Sequence, residues 1–117
     1  MSNEFHIEVQ RTANGPLLRL RGDITAFAEA RFDEAVQPLL KEGCAQMVLD
    51  FSGVDYINSA GIAVLIALVS AMKERNGDLA AIGLSPHYEK IFTMVGLTQY
   101  IKVRGRSADA SATDGPA

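Results

Sequence analysis

In QMVLDFSGVDYINSAGIAVLIALVSAMK, residues 46–73, an apolar run passes through a polar turn into a second, longer apolar run. The first six residues, Gln46 to Phe51, form a short continuous apolar run of the kind that lies in a sheet interior. A short polar turn follows, and from Ser59 the spacing becomes helical. On a helical wheel Ile62, Leu65, Ile66, Leu68, Val69 and Met72 make a broad apolar arc, which predicts burial against a sheet and an adjoining helix. The remaining strip, Ala60, Ala63, Ala67, Ser70 and Glu74, is smooth enough either for another polypeptide to approach or for a helix of the same chain to pack. The run Ala60 to Val69 is about half the length that crosses a bilayer, and Lys73 to Arg75 ends it. It reads as a buried helix fed by an interior strand.

Working outward, FHIEVQR alternates Phe5, Ile7 and Val9 with polar residues, and LLRLRG does the same through Leu18 and Leu20. Period two marks strands with one buried face. Asn14-Gly15 between them is a strong hairpin signal, so the two are expected to pair antiparallel. From Thr25 the spacing turns helical through Phe32, Val36, Leu39 and Leu40, with Thr25 as the expected cap, Gly43 as the stop and Pro38 as a kink or early break. Leu79 to Leu84 predicts a further interior strand. Ser85-Pro86 opens a third helix that Gly96 ends, and Gln99 to Val103 predicts a short edge strand. The order predicts an α/β domain with helices packed on a mixed, partly parallel sheet of about four to five strands.

The 117 residues suit one domain, expected at 1–105, and 48% hydrophobic content suffices for its core. The end of the chain, 106–117, has small and polar residues without periodicity and is expected to be a disordered tail. A formal net charge of -3 with scattered basic residues gives no footprint for nucleic acid or an anionic membrane. The single cysteine, Cys44, has no disulfide partner within the chain, and the first residues have neither a basic start nor an apolar signal core. A cytoplasmic protein is expected.

Catalytic and metal chemistry find little support. His6 and His87 lack neighbours at metal-ligand spacing, Cys44 lacks a basic partner, and no glycine-rich phosphate loop or nucleophile elbow is present. Neither a metal nor a cofactor is expected, and no enzyme. Asp50 lies at the end of the interior strand, where α/β sheets often place functional groups. A phospho-accepting receiver aspartate would also need an acidic pair after the first strand, which the sequence does not supply. Asp50 is expected to hydrogen-bond the Ser52-Gly53 turn instead. A nucleotide binder built on Asp23, Asp50 and Asp55 is the weakest of the readings.

Ser59 at the helix entrance is by itself explained as an N-cap. A wider pattern adds to this. Asp50, Phe51, Ser52, Val54, Tyr56, Ile57, Ser59, Gly61 and Ile62 fit a motif of the form D-[LF]-S-x-[VL]-x-[FY]-[IM]-D-S-[ST]-G-[LI]. Gly22, Asp23 and Ile24 fit an upstream strand-and-turn motif, and LSPHYEKIFTMVGL fits a third helix with its glycine stop. Over residues 5 to 103 the chain resembles the STAS domain family, in particular the stand-alone bacterial anti-sigma factor antagonists.

The resemblance implies a phospho-switch. The serine at position 59 would be phosphorylated by a partner that is both an ATP-dependent serine kinase and an anti-sigma factor. The unphosphorylated antagonist would sequester that partner, and a PP2C-type phosphatase would restore it. The implied partner surface comprises Asp23, Ile24 and Thr25 with Asn58, Ser59, Ala60, Gly61, Ile62 and Ala63. The protein itself would be a monomer or weak dimer. Three positions depart from the pattern: Asn58 and Thr25 stand where the family has aspartate, and Ala60 where it has a second hydroxyl. These departures add weight to an alternative in which the domain is a scaffold or interaction module in a larger assembly and Ser59 only caps, with the phospho-switch remaining the leading reading.

Overall fold

A computed structural model of the chain describes residues 3–104. The element order is β1 (His6–Thr12), β2 (Gly15–Ile24), α1 (Ala28–Lys41), β3 (Gln46–Ile57), α2 (Ser59–Lys73), β4 (Asp78–Ile82), α3 (Pro86–Met94), a 3-10 turn (Leu97–Gln99) and β5 (Ile101–Val103). The expected domain end at 105 and tail at 106–117 lie outside the described residues. The five strands form one sheet in chain order; β1 and β2 are antiparallel, and every later neighbour is parallel. This is the α/β architecture with a mixed sheet that the periodicity predicts.

The hairpin forms around Ala13-Asn14, with Thr12 opposite Gly15. Alternation then sorts the sheet into two faces. Leu18, Leu20 and Ile24 of β2, Met47, Leu49 and Phe51 of β3, and Leu79 and Ala81 of β4 join the core with the helices. The Phe51 ring meets Phe92 of α3 edge-on at 5.7 Å, and Phe5 stacks on Phe32 of α1 at 5.2 Å. Val48, Asp50, Ala80 and Ile82 alternate to the other face, outside that cluster.

Val9, on the β1 face that alternation predicts to be buried, is exposed, and four further expectations about the elements change. First, β3 does not stop at Phe51. Between Arg19–Asp50 and Arg21–Gly53 the pairing with β2 slips by one residue, and it slips again after Gly22–Val54, so that Asp23 faces Tyr56. Two bulges thus carry the strand through the expected Ser52-Gly53 turn to Ile57. The Asp50 side chain, itself buried, accepts hydrogen bonds from the Ser52 amide at 3.0 Å and hydroxyl at 2.7 Å, holding the first bulge.

Second, α1 starts at Ala28 without a side-chain cap; Thr25 instead closes a turn ahead of it, accepting from the Phe27 amide at 3.3 Å. Third, α1 continues past Pro38 to Lys41 without breaking. Fourth, Ile66 is 44% exposed. The α2 face toward α1 is made by Val64, Leu68 and Ala71 with Ala67 at its edge, which line a groove of about 60 Å³ with Phe32 and Val36. Ala63, Ala67 and Ser70 stay exposed, and Ile66 lies among them. Hydrophobicity alone cannot distinguish an outward isoleucine from an inward one.

Candidate functional site

The second bulge determines the chemistry at the start of α2. It uses one extra residue of β3, so the change from extended to helical backbone falls at Asn58, whose φ and ψ are -96° and -178°. Its Oδ1 accepts from the Gly61 amide at 2.8 Å, and its carbonyl accepts from Ile62 at 2.9 Å. Asn58 is therefore the N-cap, and Ser59 is the first helical residue. This corrects the reading of Ser59 as the cap. Its side chain is exposed, and its hydroxyl makes no hydrogen bond among the described residues.

The β2 end is held against this helix start by close contact. The Asn58 amide donates to the Ile24 carbonyl at 3.2 Å. A Cβ on Gly61 would stand 2.0 Å from that same oxygen, closer than any side chain tolerates, so only glycine permits the approach. Gly22 permits a similar approach two residues earlier in β2, where a Cβ would meet the Glu4 carbonyl at 2.2 Å. The chain before β1 thereby lies along the β2 end. The Asn3 side-chain amide donates to both Asp23 and Asp55, and the Asn3 carbonyl accepts from the Asp23 amide at 3.0 Å.

The expected surface residues sort into two groups. Ser59 and Ala63 are exposed, while Asp23, Thr25, Asn58, Ala60 and Ile62 are half-buried. Ile24 is fully sealed and Gly61 is buried, so these two position the surface rather than line it. Sequence reasoning missed Phe27, 90% exposed in the turn into α1, and Tyr56, 51% exposed at the end of β3. It also missed Tyr88 of α3, whose hydroxyl accepts from the Ile57 amide at 3.0 Å and fixes the last residue of β3. An isolated aromatic in TAFAEA was the available signal for Phe27; nothing local marks Tyr88.

Beside the site, Val54, Asp55, Ile57, Leu84, Ser85 and Tyr88 contribute to the lining of a cavity of about 230 Å³. Among the described residues no three His, Cys, Asp or Glu side chains come together at metal-binding distance. Cys44 donates its thiol to the Gln46 carbonyl at 3.0 Å, and burial pushes the thiol up from its ordinary range, which makes it a poor nucleophile. Chemically, the arrangement offers an accessible primary hydroxyl at a helix N-terminus. The Ser59 and Ala60 amides there lie outside the intrahelical ladder, where added negative charge is tolerated.

Residues 7–104 match the family described as "Mlab, STAS domain". The chain is 27% identical over 84 residues to an anti-sigma-B factor antagonist of Listeria monocytogenes, spanning 71% of this chain and 73% of that one. It is 24% identical over 103 residues to the anti-sigma-B factor antagonist of Bacillus subtilis, 88% of this chain and 94% of that one. Its fold is similar to the crystal structure of an anti-sigma factor antagonist from Mycobacterium paratuberculosis, with a TM-score of 0.77 at 16% identity over 97% of each chain.

Proposed function

We propose, from the premise that this chain belongs to the STAS domain family, that it is a non-enzymatic anti-sigma factor antagonist switched by phosphorylation of Ser59. The observation that carries the proposal is the hydroxyl of Ser59, exposed at the first turn of α2 and without a hydrogen-bond partner among the described residues, while Asn58 does the capping. The names of the Listeria and Bacillus relatives support the class of partner. The surface includes Asp23, Thr25, Asn58, Ser59, Ala60, Ile62 and Ala63, with Ile24 and Gly61 beneath it.

In the forward step the Ser59 oxygen attacks the γ-phosphorus of ATP held by the serine kinase. A new O–P bond forms as the bond to the β-phosphate oxygen breaks, ADP leaves, and a base on the kinase takes the hydroxyl proton. The phosphoserine adds about 1.5 to 2 negative charges. On the free antagonist these face solvent and the first-turn amides, so the fold persists. Against the partner, the same charge is desolvated and meets the nucleotide phosphates, and the complex separates. Hydrolysis by a PP2C-type phosphatase returns the hydroxyl. The cycle belongs to a cytoplasmic protein that is a monomer or weak dimer.

The test compares the affinity of the purified kinase for the unmodified chain, for Ser59→Ala and for the phosphoprotein by isothermal titration calorimetry. Unmodified and Ser59→Ala chains should bind alike, and the phosphoprotein at least about tenfold more weakly. Equal binding of a verified phosphoprotein overturns the switch. Large assemblies from cells in which Ser59 is unmodified would instead favour the scaffold reading, whose basis is Thr25, Asn58 and Ala60 in the motifs.

A further inference from the structure

We propose that Phe27 is the anchor of the docking face around Ser59. Its ring would enter an apolar socket on the serine kinase that is bordered by lysine or arginine side chains answering Asp23, Glu29 and Asp55. The proposal rests on the reading of Ser59 as the switch and deepens it by naming what the partner must carry.

Phe27 is 90% exposed. Its side chain contributes no cap to α1, so the turn requires no aromatic there. A phenylalanine offers roughly 150 to 250 Å² for burial, and phenylalanine is among the residues enriched at the cores of protein interfaces. The position points to the same partner as Ser59. The turn bearing Phe27 leaves the sheet at Ile24, the residue whose carbonyl touches Asn58 and Gly61, so α1 and α2 begin side by side at one end of the sheet. Tyr56 at the end of β3 and Ile66 on the outer face of α2 are each about half exposed.

The charges supply the chemistry of the occupant. Neither Gly22 to Ala30 nor Val54 to Met72 contains a lysine or arginine, Arg31 just beyond is paired with Glu4 at 3.4 Å and lies 3.9 Å from Glu34, and Asp23, Glu29 and Asp55 are all acidic. An apolar centre with an anionic rim is complementary to an apolar socket with a cationic one. The other exposed apolar group, Met94, Val95 and Tyr100, contrasts with this. It includes the cation–π pair of Lys73 with Tyr100, 4.4 Å from ring centroid to ammonium, and nothing in the structure shows what covers it.

The chain contains no tryptophan, so Phe27→Trp provides a unique reporter. The test uses the purified kinase that phosphorylates Ser59, with 5-fluorotryptophan at position 27 observed by ¹⁹F NMR. The resonance should shift on complex formation, and Phe27→Ala should lower affinity by about 30-fold or more while leaving the melting temperature of the free chain unchanged. Asp23→Asn with Asp55→Asn should weaken binding and flatten its dependence on salt. If Ser59 is phosphorylated but Phe27→Ala binds as tightly as the native chain, or the fluorine resonance does not move, the socket is refuted and the switch stands. If no kinase modifies Ser59, both fall.

Discussion

Replacing Gly61 with alanine separates the tertiary contact at this position from the local preference of the helix. By propensity alone the change should stabilise α2 by about 1 kcal/mol. The structure reverses the sign, because the new Cβ would stand 2.0 Å from the Ile24 carbonyl oxygen and 2.7 Å from its carbon. Both are backbone atoms of a paired strand and cannot rotate aside. Relief requires β2 and α2 to separate, which strains packing at about 1 to 3 kcal/mol and lengthens the Asn58 to Ile24 hydrogen bond, worth about 1 kcal/mol. After the propensity gain, a net loss of about 2 kcal/mol remains. With a urea m-value of about 1.5 kcal/mol/M, the midpoint should fall by about 1.3 M. Circular dichroism at equilibrium in urea measures it directly. A midpoint equal to or above that of the native chain would refute the claim that this contact holds the two ends together.

The cap assignment predicts that Asn58→Ala costs about 1 kcal/mol whereas Ser59→Ala costs nothing measurable in the same urea titration, and Asn58→Asp, keeping the acceptor and adding charge at the helix start, should be at least as stable as the native chain. Tyr88→Phe should cost about 1 to 2 kcal/mol, because it leaves the Ile57 amide without its acceptor. Cys44 should react with a disulfide reagent at pH 8 more slowly than free cysteine, and at the free rate once the chain is unfolded in urea, since burial raises its thiol.

The elements written in contiguous residues were legible. Asn14-Gly15 and the alternation of β2 specified the hairpin, and Ser85-Pro86 specified the start of α3, where Ser85 does accept from the Tyr88 amide at 3.2 Å. The end of β3 was not legible, because its two bulges depend on pairing with β2, some thirty residues earlier in the chain. The cap at Asn58 rather than Ser59 is a one-residue difference that local sequence does not resolve, because asparagine is as good a cap as serine and both lie at the boundary. The motif thus located the site, while tertiary pairing assigned the role of each residue in it. Phe27 goes unremarked in the sequence and Ile66 is assigned to the buried arc for another reason: an apolar side chain turned outward has the same local sequence signature as one turned inward.

The most direct test of the account is to incubate the chain with its kinase and ATP and locate the phosphate by peptide mass spectrometry. The exposed, uncommitted hydroxyl predicts one phosphate, on Ser59, absent from the Ser59→Ala chain. Phosphate on any other residue of the native chain, or none at all from a kinase that binds it, would contradict the assignment.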